Sequence, residues 1–308
     1  MKIAIMGSGG VGGYFGAKMA LAGNDVTFIA RGAHLDALRR NGLRVKTDDG
    51  DMIVNPVKAT DDPATIGPVD VVLFSTKLYD TTEAAEQLKP VMGPGTFVVT
   101  VQNGISGADM IGAVLGRENV LAGSTYIVSH LEEPGVIRHM GKYQRIVFGE
   151  IDGRMSNRGR SFETLCQDSG IDVELSDKVQ TTMWEKFIPL TVMSGMTSVT
   201  RSPIGPILAD PALAAMVDAA VSEAVNVARA KGIALPEGIA ERVQKTVRLA
   251  PYDTKASMLV DLERGKKMEL PWLSATIASM GEELGVPTPT HKFIATVLKL
   301  HAVGAPKA

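Results

Sequence analysis

The segment Lys2-Ile3-Ala4-Ile5-Met6 runs straight into Gly7-Ser8-Gly9-Gly10-Val11-Gly12, and a helical pattern follows from Tyr14 to Ala22. A glycine-x-glycine-x-x-glycine loop between a strand and a helix leaves few folds open, because each glycine answers a separate steric demand. Gly7 makes a tight turn, Gly9 lets an anion approach the backbone, and Gly12 lets the helix pack closely on the strand. The first amides of such a helix point outward, where the macrodipole favours negative charge. Gly7, Ser8, Gly9, Gly10, Val11 and Gly12 are therefore candidates for holding the pyrophosphate of a dinucleotide. The loop also accounts for part of a glycine excess, 32 of 308 residues, against a usual share of about 7%.

The pattern after the loop supports an open parallel sheet. Asp25–Ala30, Val69–Ser75 and Thr96–Val101 read as buried strands, separated by helical patterns at Ala33–Asn41 and Thr82–Lys89. Strands alternating with helices imply a parallel sheet covered on both faces. Tyr126–His130, Gly135–His139 and Gln144–Phe148 read as an antiparallel extension of that sheet. From about Ser176 the strand signals stop. Asp210-Pro211 is an N-cap followed by proline at the first helical position. Apolar residues then recur every three or four positions from Leu213 to Ala228, ending near Gly232. Further helices are expected at Pro236–Leu249, Asp253–Arg264, Pro271–Leu284 and Thr290–Ala302. The fold class is thus an α/β Rossmann-like amino-terminal domain, residues 1–177, followed by an all-helical domain, residues 178–308.

Composition narrows the classes of partner. Lys and Arg total 32 against 34 Asp and Glu, a net charge of −2, which argues against nucleic acid or an anionic membrane held by bulk charge. The opening apolar run is too short for a signal peptide. No unbroken run of 18 apolar residues occurs, so no membrane-spanning helix is expected and the chain is read as cytoplasmic. One cysteine, Cys166, excludes an internal disulfide and any multi-cysteine metal site; it is expected to be buried packing. The five histidines show no metal-binding spacing and are expected in loops or at the surface. Fifteen methionines are read as core filling. A homodimer is compatible with the long apolar helices.

In an open α/β sheet, ligands bind beyond the carboxyl ends of the strands. The end of the second strand reads Phe28-Ile29-Ala30-Arg31-Gly32, with no carboxylate to bond a ribose 2′-hydroxyl. Arg31 instead offers a planar cation suited to a 2′-phosphate, so NADPH/NADP+ is the expected cofactor. Lys77 and Asn103 lie just beyond the two following strands, on the same edge as the glycine loop.

The chain resembles the ketopantoate reductase (2-dehydropantoate 2-reductase) family. The resemblance rests on Gly7–Gly12, Ser75-Thr76-Lys77, Gln102-Asn103-Gly104, Trp184-Glu185-Lys186-Phe187, Thr200-Arg201-Ser202-Pro203-Ile204-Gly205, and Ser257-Met258 with Glu269 beyond. It implies NADPH-dependent reduction of 2-dehydropantoate to pantoate, in the pathway to pantothenate. By position, it makes Lys186 the general acid and puts Lys77 by the cofactor. It sets Asn103 against both the nicotinamide and the substrate, with Ser257 and Glu269 as further substrate contacts. A lysine ammonium suits this chemistry, since hydride addition to a ketone builds negative charge on oxygen.

The sequence departs from the family pattern on the lysine helix. Asparagines usual four and eight residues after the lysine are here Leu190 and Ser194, leaving Ser194 as a short hydroxyl substrate contact. Pro189 removes a backbone donor and suggests a kink just beyond Lys186. Glu269 is followed by Leu270-Pro271-Trp272-Leu273-Ser274-Ala275, where the family often shows an Asn-Gly pair. These changes point to a second reading, in which the substrate is a different, less polar 2-oxo acid. A non-catalytic NADP(H) sensor is the alternative of another class, disfavoured by Lys186, Ser257 and Glu269. An NAD-dependent hydroxyacid dehydrogenase of another family is disfavoured by Arg31 and by the lack of a histidine base motif.

Overall fold

The computed structural model describes residues 1–305, which divide into two compact units, Met1–Val179 and a second beginning at Gln180. The first unit runs β1 (Lys2–Met6), α1 (Gly10–Leu21), β2 (Asp25–Ile29), α2 (Gly32–Asn41), β3 (Leu43–Lys46), β4 (Met52–Val54) and β5 (Lys58–Thr60). It continues with β6 (Val71–Phe74), α3 (Thr81–Gln87), β7 (Phe97–Thr100), α4 (Gly107–Leu115), β8 (Val120–Glu133), β9 (Val136–Gly149), α5 (Asn157–Asp168) and β10 (Asp172–Leu175). The strands form one ten-stranded sheet in the order β4-β3-β9-β8-β7-β6-β1-β2-β5, with β10 also paired to β9. The strands from β8 to β5 in that order are parallel, and β8–β9 and β3–β4 are the antiparallel pairs. The centre of the sheet is fully apolar: Ile3, Ala4, Ile5, Val71, Val72, Leu73, Phe74, Val98 and Val99 are completely buried. Such continuous apolar strands are what a sheet covered on both faces requires.

Two expected strands are one. Gly135–His139 and Gln144–Phe148 both belong to the fourteen-residue β9. Ile127 pairs with Gln144 while the next residue, Val128, pairs with Met140, so residues 141–143 bulge out of the ladder. Gly141 at φ +75° makes that irregularity and reads in sequence as a turn. Short β3, β4, β5 and β10 carry too few residues to show a period, and α4 and α5 escaped the pattern.

The second unit is helical: α6 (Val179–Thr200, whose first residue closes the first unit), α7 (Ile204–Ala209), α8 (Pro211–Ala230), α9 (Ile239–Arg248), α10 (Ser257–Glu263), α11 (Ser274–Leu284) and α12 (Pro289–Leu298). Asp210 caps α8 as its sequence implies, its carboxylate accepting from the amides of Ala212 at 2.9 Å and Leu213 at 3.0 Å. Pro189 sits within α6, which continues as a single helix through it. Contrary to the sequence expectation, α8 is long and apolar enough to cross a membrane. Asp218, Glu223 and Arg229 interrupt its apolar run, so the sequence there holds no unbroken apolar stretch of that length. Its buried face, Val217, Ala220, Val221 and Ala224, packs among α7, α9, α11 and α12, as a core helix does.

Histidine and cysteine placement tests further expectations. His139 and His291 are buried, not at the surface. The His139 ring lies 4.6 Å from Tyr14, and His291 Nε2 is 3.0 Å from the Ala220 carbonyl oxygen. Buried Glu223 accepts from the amides of Thr290 and His291, so a charge-assisted cap holds the start of α12. These partners lie far away in sequence, so local pattern cannot place the rings inside. Cys166 is buried in the core of the first unit, as expected, and burial pushes its thiol well above the ordinary range.

Candidate functional site

In the first unit, four adjacent parallel strands end along one edge of the sheet. The glycine loop follows β1, Arg31 follows β2, Lys77 lies beyond β6 and Asn103 beyond β7. Hydrogen bonds tie these ends together. Ser8 Oγ donates to the Ile29 carbonyl at 2.8 Å, and Ser75 Oγ donates to the Gly7 carbonyl at 2.8 Å.

The glycines divide by role. Gly7 has φ +93°, and a β-carbon there would lie 2.8 Å from the Thr76 nitrogen. A β-carbon at Gly12 would strike Ser75 Oγ and the Gly7 carbonyl, so Gly12 allows the helix–strand contact. At Gly10 it would lie 2.5 Å from the Ser129 carbonyl oxygen, so this glycine accommodates the β8 strand passing over the loop. Gly9 alone of the loop glycines meets nothing within 4 Å. An opening beside Gly9, at the start of α1, fits a dinucleotide pyrophosphate on chemical and steric grounds.

Arg31 is two-thirds exposed, with Asp80 and Glu83 at 3.7 and 3.8 Å from its guanidinium. Lys77 and Asn103 are half-buried. Sequence reasoning missed what positions them. Gln102 is buried, and its amide nitrogen donates to the Thr76 carbonyl at 3.0 Å and to Thr81 Oγ1 at 2.8 Å. Its oxygen accepts from Thr100 Oγ1 at 3.0 Å. Gln102 thus fastens the loop carrying Lys77 to the loop carrying Asn103. Its signal in the sequence was only its place beside Asn103.

In the second unit, Lys186 lies on α6 and Glu269 immediately precedes a short 3-10 turn, Leu270–Trp272. Glu269 is buried and Lys186 is partly so. Burial lowers the Lys186 amine from 10.5 to about 8, while the Glu269 charge opposes that fall. Ser194 lies two turns further along α6 and is completely buried, with its hydroxyl oxygen unpartnered. Ser257 begins α10 and is exposed. The structure therefore brings Lys186 and Glu269 within electrostatic reach, and places Ser194 and Ser257 in opposite environments. Among the described residues, no group of three metal-ligating side chains occurs.

Comparison with known proteins covers both units. Residues 3–153 match the family model "Ketopantoate reductase PanE/ApbA", and residues 178–302 match its C-terminal counterpart. The chain is 31% identical to a 2-dehydropantoate 2-reductase of Mesorhizobium japonicum, covering 98% of each. It superposes on the PanE/ApbA family ketopantoate reductase of Ralstonia eutropha JMP134 with a TM-score of 0.91 and 32% identity, over 98% of both chains. A 2-dehydropantoate 2-reductase of Geobacter metallireducens gives 0.90 at 28% identity, over 97% of this chain and 99% of that one. D-mandelate dehydrogenase shares the fold, with a TM-score of 0.88 at 20% identity, over 98% of both chains.

Proposed function

Because the chain belongs to the ketopantoate reductase PanE/ApbA family, we propose that it reduces 2-dehydropantoate to pantoate with NADPH, a step of pantothenate synthesis. The observation that carries the reading is a partly buried lysine, Lys186, whose amine sits at about 8 beside the buried Glu269. An acid with a pKa near the working pH combines adequate protonation with ready proton release. A bound reduced nicotinamide supplies the hydride. Lys186 stabilises the negative charge that grows on the carbonyl oxygen and delivers a proton to it. Glu269 holds the ammonium and contacts substrate, with Ser257 as a further contact. In the first unit, residues Gly7 to Gly12 hold the pyrophosphate, Arg31 pairs with the 2′-phosphate, and Lys77 and Asn103 border the nicotinamide side, where Asn103 also meets substrate.

Leu190 and the enclosed hydroxyl of Ser194 favour a second reading, a less polar 2-oxo acid as substrate. A site that has lost polar partners discriminates poorly for a polar substrate. NADPH oxidation across a panel of 2-oxo acids decides between the two. Preference for 2-dehydropantoate by a wide margin supports the first and removes the second. Tight NADPH binding without turnover on any oxo acid would overturn both.

A further inference from the structure

His34 bridges three segments of the first unit, and its protonation state follows from its partners. The residue lies in the first turn of α2, half-buried. The Gly135 backbone amide lies 3.0 Å from Nδ1, and the Ser8 carbonyl oxygen lies 2.8 Å from Nε2. An amide can only donate, so Nδ1 is the bare acceptor. A carbonyl can only accept, so the proton resides on Nε2. Burial also pushes the imidazole below its ordinary value, which favours the neutral ring.

The bond to Ser8 has a directional consequence. In a trans peptide the carbonyl and the following N–H point in opposite directions. Holding the Ser8 carbonyl toward His34 therefore turns the Gly9 N–H away from the ring. Gly9 is the loop glycine with open space beside it, and its own carbonyl accepts from Gly13 in the first turn of α1. Ser8 Oγ, bonded to the Ile29 carbonyl, pins the same residue from its other side.

We propose that His34 is a positioning residue for dinucleotide binding, fixing the Ser8–Gly9 peptide so that its N–H is presented to the phosphates. The role rests on the reading that the glycine loop holds a dinucleotide. Ser8 and Gly135 make separable demands on the ring. In His34→Gln the side-chain amide reaches the Nε2 position and can donate to Ser8. In His34→Asn the side-chain oxygen reaches the Nδ1 position and can accept from Gly135, leaving Ser8 without a donor.

The test measures NADPH affinity by calorimetry and steady-state kinetics on the full chain. His34→Ala is expected to weaken NADPH binding about tenfold. His34→Gln should return it to within about threefold of the wild type, and His34→Asn should not. At saturating NADPH, kcat and the KM for the oxo acid should stay within about twofold in all three. Long-range proton–nitrogen spectra of the wild type should show His34 protonated on Nε2. Unchanged affinity in His34→Ala, rescue by Asn and not Gln, a parallel collapse of kcat, or a proton on Nδ1 would each overturn the role. A wild type that binds no dinucleotide would instead overturn the reading of the glycine loop, and this role with it.

Discussion

Raising the pH through about 8 should switch off reduction far earlier than an ordinary lysine acid would allow. The Lys186 amine lies at about 8 against an ordinary 10.5. At about pH 9 roughly one-tenth of Lys186 remains protonated, whereas an unperturbed lysine would remain almost wholly charged. The kcat/KM for the oxo acid should therefore fall about tenfold between a neutral plateau and about pH 9. Stability carries the opposite signature. The folded amine releases its proton more readily than the unfolded one, so the buried ammonium costs stability, fully below about 8, decreasingly up to 10.5 and not at all above. The fall corresponds to about 3 kcal/mol. Lys186 keeps some solvent contact and its replacement strands buried Glu269, so Lys186→Met should recover only about 1 kcal/mol at neutral pH. Denaturant titrations of Lys186→Met and the wild type, from neutral to strongly alkaline pH, measure the difference. Loss of nicotinamide absorbance in the same buffers measures turnover, which Lys186→Met should reduce at least a hundredfold with NADPH still bound. A wild-type kcat/KM flat to about pH 10, or near-normal turnover in the variant, would refute the assignment.

The glycine loop allows a sharper test of steric roles. Gly9→Ala should fold normally and weaken NADPH binding by tenfold or more, whereas Gly10→Ala should lower the melting temperature because its β-carbon meets the Ser129 backbone at 2.5 Å. Arg31→Ala should reduce the preference for NADPH over NADH in KM by at least about tenfold. Asp80→Asn with Glu83→Gln should strengthen NADPH binding a few-fold, since those carboxylates compete with a 2′-phosphate for the same guanidinium; unchanged Kd values would remove that competition. Gln102→Ala should cost about 1–3 kcal/mol in denaturant titrations, because it strands the buried hydroxyls of Thr100 at the end of β7 and Thr81 at the start of α3.

Much of the strand-end arrangement was legible because its cues are local. Strand β1, its glycine loop and Arg31 lie within the first 31 residues, and β6 and β7 each pass directly into Lys77 and Asn103. Asp210-Pro211 likewise announced α8 through neighbours only two and three residues away. Legibility failed where a residue's environment comes from elsewhere in the chain. Ser194 is a helix serine in sequence and a fully enclosed hydroxyl in the fold. His34 lies 101 residues from Gly135, and His291 lies 71 from Ala220. Gly10 belongs to the glycine motif in sequence, and only the fold shows that its missing side chain also makes room for a strand more than a hundred residues away.

The sequence by itself determined the α/β and helical division, the glycine loop, and the family through a set of ordered short motifs. Those rest on backbone sterics and periodicity, which act over a few residues. Only the tertiary structure decided which loop glycine faces open space, which tautomer His34 holds, and how far the Lys186 amine falls. Each depends on desolvation and on partners that meet only when the chain has folded, and neither acts along the sequence.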